Sequence, residues 1–235
     1  MKVYVKPKAG PTPPVIKGVI FDIDNTVYSN PGYFSASSCG EIAAIAQLKG
    51  QAPETVAAQL HTIRQKLGRT AGRPVTLTEA VYALGVTADE WHQLRCRVWQ
   101  PEGSLTADDV VCVFFQRLAE RFSVIAFGTN SPAVVGERVL KSVGLRSALP
   151  VAPIYGAETL AVSKPDPQFF ARLAQRLHLP PEACLSVGDR DFSDGPPAIS
   201  AGYAGAIIFP DGRDELLANG SCLLDDSWRR EVAHV

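Results

Sequence analysis

The apolar and polar positions of this chain fall into two kinds of pattern, one in its middle third and one in the flanks. Gly18-Val19-Ile20-Phe21 is a run of β-branched and aromatic residues that ends on two acids, Asp22 and Asp24. Its composition predicts a buried strand. Similar runs recur at Ser123–Phe127, Cys184–Val187 and Ala204–Phe209, with a weaker one near Val151–Tyr155. Helical spacing fills the intervals. Thr106 and Asp109 open a helix through Val110, Phe114 and Leu118, and Pro132–Val143 is closed by Gly144. Pro167–Leu177 and Asp194–Ala201, closed by Gly202, follow the same period. Alternation of this kind predicts an α/β fold, a Rossmann-like parallel sheet with helices on both faces.

From about Ser35 to Gln100 no strand-like run appears. Ser38 with Glu41, Thr76 with Glu79 and Thr87 with Glu90 match the capping-box spacing that starts helices. Ile42, Ile45 and Leu48 line one apolar face, Val56, Leu60, Ile63 and Leu67 a second, and Trp91, Leu94 and Val98 a third. A crossover between parallel strands needs a single helix. The surplus predicts an inserted all-helical cap over 31–104, with an α/β core over 1–30 and 105–235. Ser29-Asn30-Pro31-Gly32 reads as the turn into the insert. Lys2 to Pro14 reads as an extended lead-in, since Pro11, Pro13 and Pro14 forbid a helix. Ser221 to Val235 is polar and predicts nothing definite.

Composition narrows the partners. The net charge of −1 over 235 residues gives no reason to expect a nucleic-acid polymer or an anionic membrane surface as partner. No apolar run is long enough to span a bilayer, and Met1 to Pro14 lacks the apolar core of a secretory signal. The five cysteines (Cys39, Cys96, Cys112, Cys184, Cys222) are odd in number and include no Cys-x-x-Cys. They predict reduced thiols in a cytoplasm, with neither a disulfide framework nor a zinc site. The four histidines are isolated and read as surface or packing residues.

The chemistry-bearing residues stand at strand ends. Asp22 and Asp24 share a side if extended geometry persists that far. Adjacent carboxylates repel unless a cation or a shared proton relieves them, and a hard divalent ion such as Mg²⁺ takes oxygen ligands. Two further predicted strands end in polar residues, Thr129-Asn130 and Gly188-Asp189. Ligands of open α/β sheets bind at the carboxyl ends of strands, so these groups are expected to converge. Lys164 lies at a helix start, where the positive end of the helix dipole disfavours a lysine unless it faces an anion. Asp194 stands where an N-cap belongs, before Pro196 and Pro197. Asp189 directly follows a strand and has no such role. Asp191 reads either as a further cation ligand or as a partner of Arg190.

In order, Asp22-Ile23-Asp24-Asn25-Thr26, Thr129-Asn130, Lys164-Pro165 and Gly188-Asp189 with Asp194 resemble the four motifs of the haloacid dehalogenase-like hydrolase superfamily. The resemblance spans Lys17 to Phe209, and the helical insert is similar to the family's C1 cap. It implies a Mg²⁺-dependent phosphomonoester hydrolase acting on a small phosphorylated metabolite. In that role Asp22 would be the nucleophile that forms an aspartyl-phosphate, and Asp24 the general acid and base. Thr129 and Lys164 would hold the phosphoryl oxygens, and Asn130 would orient Asp22 or the phosphate. Mg²⁺ would bind the Asp22 side chain, the Asp24 carbonyl and Asp189, with Asp194 direct or through water. An acid at position 24 separates the chain from the dehalogenases. The cap lysine of the phosphonatases would have to be Lys49 or Lys66, both of which read as solvated helix-end residues. A phosphosugar mutase keeps both acids and stays open, as does a non-catalytic binding or regulatory relative. Asn25 in place of the common glycine, with Tyr28, resembles the pyrimidine 5′-nucleotidase-like branch and implies a nucleoside 5′-monophosphate. Tyr28, Tyr33, Phe34 and Trp99 would then either stack on a base or pack the cap.

Overall fold

A computed structural model describes residues 1–6 and 14–230. Pro11, Pro13 and the end of the polar tail therefore lie outside the described residues. Six short strands form one sheet: β1 Lys2–Val5, β2 Gly18–Phe21, β3 Val124–Gly128, β4 Ile154–Tyr155, β5 Cys184–Gly188 and β6 Gly205–Ile208. Their order across the sheet is β1-β6-β5-β2-β3-β4. β2 to β6 run parallel, and β1 joins β6 antiparallel at the edge, with Lys2 opposite Ile208 and Tyr4 opposite Ala206. The extended lead-in thus contains a sixth strand, and the sheet is mixed. Four residues at an edge are too few to announce themselves by periodicity.

The chain divides into two compact units, Met1–Ser29 with Leu105–Val235, and Asn30–Ser104. Four helices belong to the second unit: α1 Pro31–Lys49, α2 Pro53–Ala71, α3 Leu77–Ala83 and α4 Ala88–Val98. The rest serve the sheet: α5 Asp109–Arg121, α6 Ala133–Ser142, α7 Leu145–Ala148, α8 Ala157–Leu160, α9 Pro167–Arg176, α10 Asp191–Asp194, α11 Pro196–Ser200, α12 Arg213–Asn219 and α13 Cys222–Asp225.

Side chains alternate across a strand, so β2 shows which helices cover which face. Ile20 packs in one cluster with Phe169, Phe170 and Leu173 of α9. Phe21 points the other way and meets Phe115 of α5 edge-on, with ring centroids 4.7 Å apart. Both faces of the sheet are therefore covered by helices. Two expectations shift. α5 is capped by Asp108, whose side chain accepts from Val111 N, and it buries Val111, Phe114, Phe115 and Leu118 while Val110 is exposed. The helix expected over Asp194–Ala201 is α11 and starts only at Pro196; Asp194 instead ends the short α10, because Pro196 and Pro197 cannot continue a helix begun before them.

The helical unit closes around Ile45, Val56, Leu60, Val81, Trp91 and Leu94. Thr76–Glu79 and Thr87–Glu90 form both bonds of a capping box. Ser38–Glu41 does not. Asn30 already caps α1 by accepting from Tyr33 N, with Pro31 at the first helical position. The expected turn is thus the helix start, and Ser38 lies mid-helix. Glu41 is 2% exposed and accepts from Arg95 Nε at 2.8 Å and Trp99 Nε1 at 2.6 Å. Glu41→Ala leaves the Arg95 charge buried without this carboxylate and is expected to cost about 3–5 kcal/mol in urea unfolding. Ser38→Ala, by contrast, is expected to change stability by less than about 0.5 kcal/mol, because no cap is lost.

Candidate active site

The site follows from strand register. Phe21 of β2 lies opposite both Phe127 of β3 and Val187 of β5. Asp22 after β2 is therefore level with Gly128 and Gly188, so Thr129 after β3 and Asp189 after β5 leave the sheet only one residue further on. Asp22 N still donates to Val187 O at 2.8 Å, so the first acid is pinned to the neighbouring strand.

Lys164, 3% exposed, lies at the centre. Its Nζ donates to Asp22 Oδ1 at 2.7 Å and to Asp194 Oδ1 at 2.6 Å. Carboxylate oxygens of Asp22, Asp189 and Asp194 lie within 4.8 Å of one another. Asp194 does not cap the following helix. It turns inward, and its second oxygen accepts from Ser193 Oγ and Arg190 N. This fold-back requires Gly188, where a Cβ would stand 2.5 Å from Asp194 Cγ. Asp189 Oδ2 accepts from Asn25 Nδ2 at 3.0 Å. Asn25 has φ +65°, a left-handed conformation that glycine and asparagine tolerate best. It fits the turn where a glycine would, and its amide reaches a carboxylate as well.

The second acid has its own shell. Asp24 Oδ1 accepts from Tyr28 Oη at 2.9 Å and Oδ2 from Ser131 Oγ at 2.5 Å. Thr129, 1% exposed, accepts from Ser131 N through Oγ1. Ser131 was not expected from the sequence; its signal was a hydroxyl directly after Thr129-Asn130. Asn130 clamps the main chain of Lys164, donating to its carbonyl at 2.9 Å and accepting from its N–H at 2.8 Å. In the structure it orients the lysine. The Asp191 carboxylate accepts from Lys2 Nζ and Tyr4 Oη. Tyr33 and Trp99 are buried and pack edge-to-face inside the helical unit, and Phe34 meets Trp99 in the same way, which favours packing over base stacking. Lys49 and Lys66 are exposed.

Burial pushes the Asp22 carboxyl up to about 7; Lys164 opposes this, while the Asp194, Asp189 and Asp24 carboxylates reinforce it. Asp189 is also raised, first by burial, against the pull of Arg190. Burial pulls the Lys164 ammonium down, but Asp194 and Asp22 outweigh it and the net shift is upward, so the lysine is charged. One ammonium thus faces several carboxylates. Among the described residues, Asp189 Oδ1 is buried with no hydrogen-bond partner. An orphaned oxygen beside two more carboxylates is a donor set that fits a hard divalent cation.

The described chain contains no helix long and apolar enough to cross a membrane. Residues 16–202 match the haloacid dehalogenase-like hydrolase family. The chain belongs to that family and is a hydrolase. It is 30% identical over 183 residues to a phosphoglycolate phosphatase of Rhodospirillum rubrum, covering 74% of this chain and 71% of the relative. Among solved structures, a haloacid dehalogenase-like hydrolase from Xanthomonas campestris aligns with a TM-score of 0.53 at 17% identity, covering 97% of this chain and all of that one. A phosphatase of the family from Thermococcus onnurineus aligns at 0.52 and 17% identity, covering 83% and 86%. At such identities the likeness concerns the fold.

If the carboxylate cluster takes up Mg²⁺, EDTA-stripped protein is expected to gain about 2.7 kcal/mol of stability at a hundredfold excess of Mg²⁺ over its Kd, read as a rise in Tm. Asp189→Asn is expected to abolish the rise while leaving the metal-free protein folded.

Proposed function

We propose that the protein is a Mg²⁺-dependent phosphomonoester hydrolase acting on a small phosphorylated metabolite through an aspartyl-phosphate on Asp22. The observation that carries this reading is the buried Lys164 ammonium bonded at once to Asp22 and Asp194 at the carboxyl end of β2. A carboxylate can approach a phosphate dianion only where positive charge offsets the repulsion. Lys164 supplies one such charge. Asp22, Asp189, Asp194 and the Asp24 carbonyl are the groups that would hold Mg²⁺. When bound, the ion offsets charge on the phosphoryl oxygens and the acids together.

The residue roles follow. A carboxylate oxygen of Asp22 attacks phosphorus and the ester P–O bond breaks. Asp24 gives its proton to the leaving oxygen, and then takes a proton from the water that attacks phosphorus and frees Asp22 as phosphate departs. Tyr28 and Ser131 donate to the two Asp24 oxygens, which holds the carboxyl group in orientation for that proton transfer. Thr129 and Lys164 stabilise the redistributed charge on the phosphoryl group, and Asn130 keeps Lys164 in place. The helical unit acts as the cap that selects substrate. We infer a cytoplasmic enzyme, in keeping with five free cysteines.

The test is phosphate release across a metabolite panel with and without Mg²⁺. The panel sets nucleoside 5′-monophosphates against 2-phosphoglycolate, the substrate class in the name of the Rhodospirillum relative. Asp22→Asn is expected to lower kcat by about a thousandfold or more, and Lys164→Met by about a hundredfold. Absence of Mg²⁺-stimulated release from every compound would overturn the reading, and an isomerised phosphate ester as product would select the mutase instead.

A further inference from the structure

The loop between Asp189 and Asp194 carries a third acid that the site does not use. Asp191 opens α10, a helix of four residues, too short to hold its own shape. It lies between two carboxylates that must both face one cation, and it is absent from the cluster of oxygens formed by Asp22, Asp189 and Asp194. Its carboxylate is held from the other side by β1. Tyr4 Oη donates to Asp191 Oδ1, and Lys2 Nζ donates to Oδ2 at 2.7 Å. The Lys2 ammonium also lies 4.9 Å from the centroid of the Tyr4 ring. The ring in turn rests on Gly195, where a Cβ would come within 2.8 Å of Tyr4 Cε2. One strand therefore grips the loop at Asp191 and at the residue after Asp194.

That strand lies outside the stretch that matches the family, residues 16–202. Its grip is half-exposed, with the Lys2 and Asp191 side chains 42% and 46% accessible. Pairs so exposed contribute little to global stability. They bear on geometry instead: both Asp191 oxygens are engaged by β1, while Asp194, three residues on, bonds Lys164.

We propose that Tyr4 and Lys2 are positioning residues for the cation site, holding Asp191 outward so that Asp189 and Asp194 stay aimed at one ion. The proposal rests on the reading of those acids as Mg²⁺ ligands. Outer partners of metal ligands typically govern affinity, and this pair acts one step further out.

The test is calorimetric titration of the EDTA-stripped full chain with MgCl₂, alongside its metal-free melting temperature. Tyr4→Phe keeps the ring on Gly195 and removes only the hydroxyl; it is expected to weaken Mg²⁺ binding by about tenfold with an unchanged melting temperature. Lys2→Met gives a test of sign. Removing a positive charge near a cation site strengthens binding by Coulomb's law alone, whereas loss of positioning weakens it. Weaker binding is expected. Tyr4→Phe combined with Asp191→Asn is expected to bind no worse than Asp191→Asn alone, because both act through one contact. Unchanged Mg²⁺ affinity in Tyr4→Phe, tighter binding in Lys2→Met, or additive losses in the double variant would each overturn the proposal while leaving the metal reading intact. A wild-type chain that takes up no Mg²⁺ would overturn both.

Discussion

A single buried ammonium makes the site of this protein possible. Lys164 is almost fully enclosed, yet it bonds two carboxylates from distant parts of the chain, Asp22 and Asp194. Without it, acids brought together at the sheet's rim would repel in a region of low dielectric. Without them, the lysine would carry an uncompensated buried charge. Neither half is stable alone, so the fold must deliver both. Asn130 completes the arrangement by clamping the lysine's main chain, so the ammonium is fixed at both ends.

The delivery depends on register. Because Phe21 lies level with Phe127 and Val187, three strand ends open onto the same volume. Small residues then let the following loops fold close. Gly188 leaves room for the Asp194 carboxylate, and Gly212, at φ +67°, packs where a Cβ would come within 2.1 Å of the Asn25 carbonyl. Asn25 in turn gives its amide to Asp189. These contacts connect packing to chemistry: a displacement of one loop changes which oxygens face each other.

Much of this was legible in the chain. Apolar runs ending on acids announced β2 and β5 and the acids that follow them, and the change to helical period announced the inserted unit. Asp22, Asp24, Thr129, Asn130, Lys164 and Asp189 could each be singled out because a polar group after a buried strand, or a lysine at a helix start, conflicts with local preference, whereas Asp194 was expected in the site only through the family resemblance. One misreading and one reading left open share a cause. Ser38 with Glu41 satisfies the capping-box spacing, but a cap depends on where the helix begins, and Asn30 with Pro31 had already begun it. Asp194 stands before two prolines like a cap, but its charge is better compensated by Lys164 than by helix N–H groups. In each case a local rule held in form and a tertiary partner took the side chain.

The sequence by itself determined the alternation of strands and helices, the insertion, and the identity of the acids, because periodicity and residue type are local properties. Only the tertiary structure decided partners. It paired Glu41 with Arg95 and Trp99, gave Asp24 to Tyr28 and Ser131, and brought Lys2 and Tyr4 onto Asp191 from the far end of the chain. Those contacts join residues up to nearly two hundred positions apart, and no local pattern encodes them. They exist because strand order and register place these residues together, and a buried or crowded charge takes the counter-charge or hydrogen bond that the fold puts within reach.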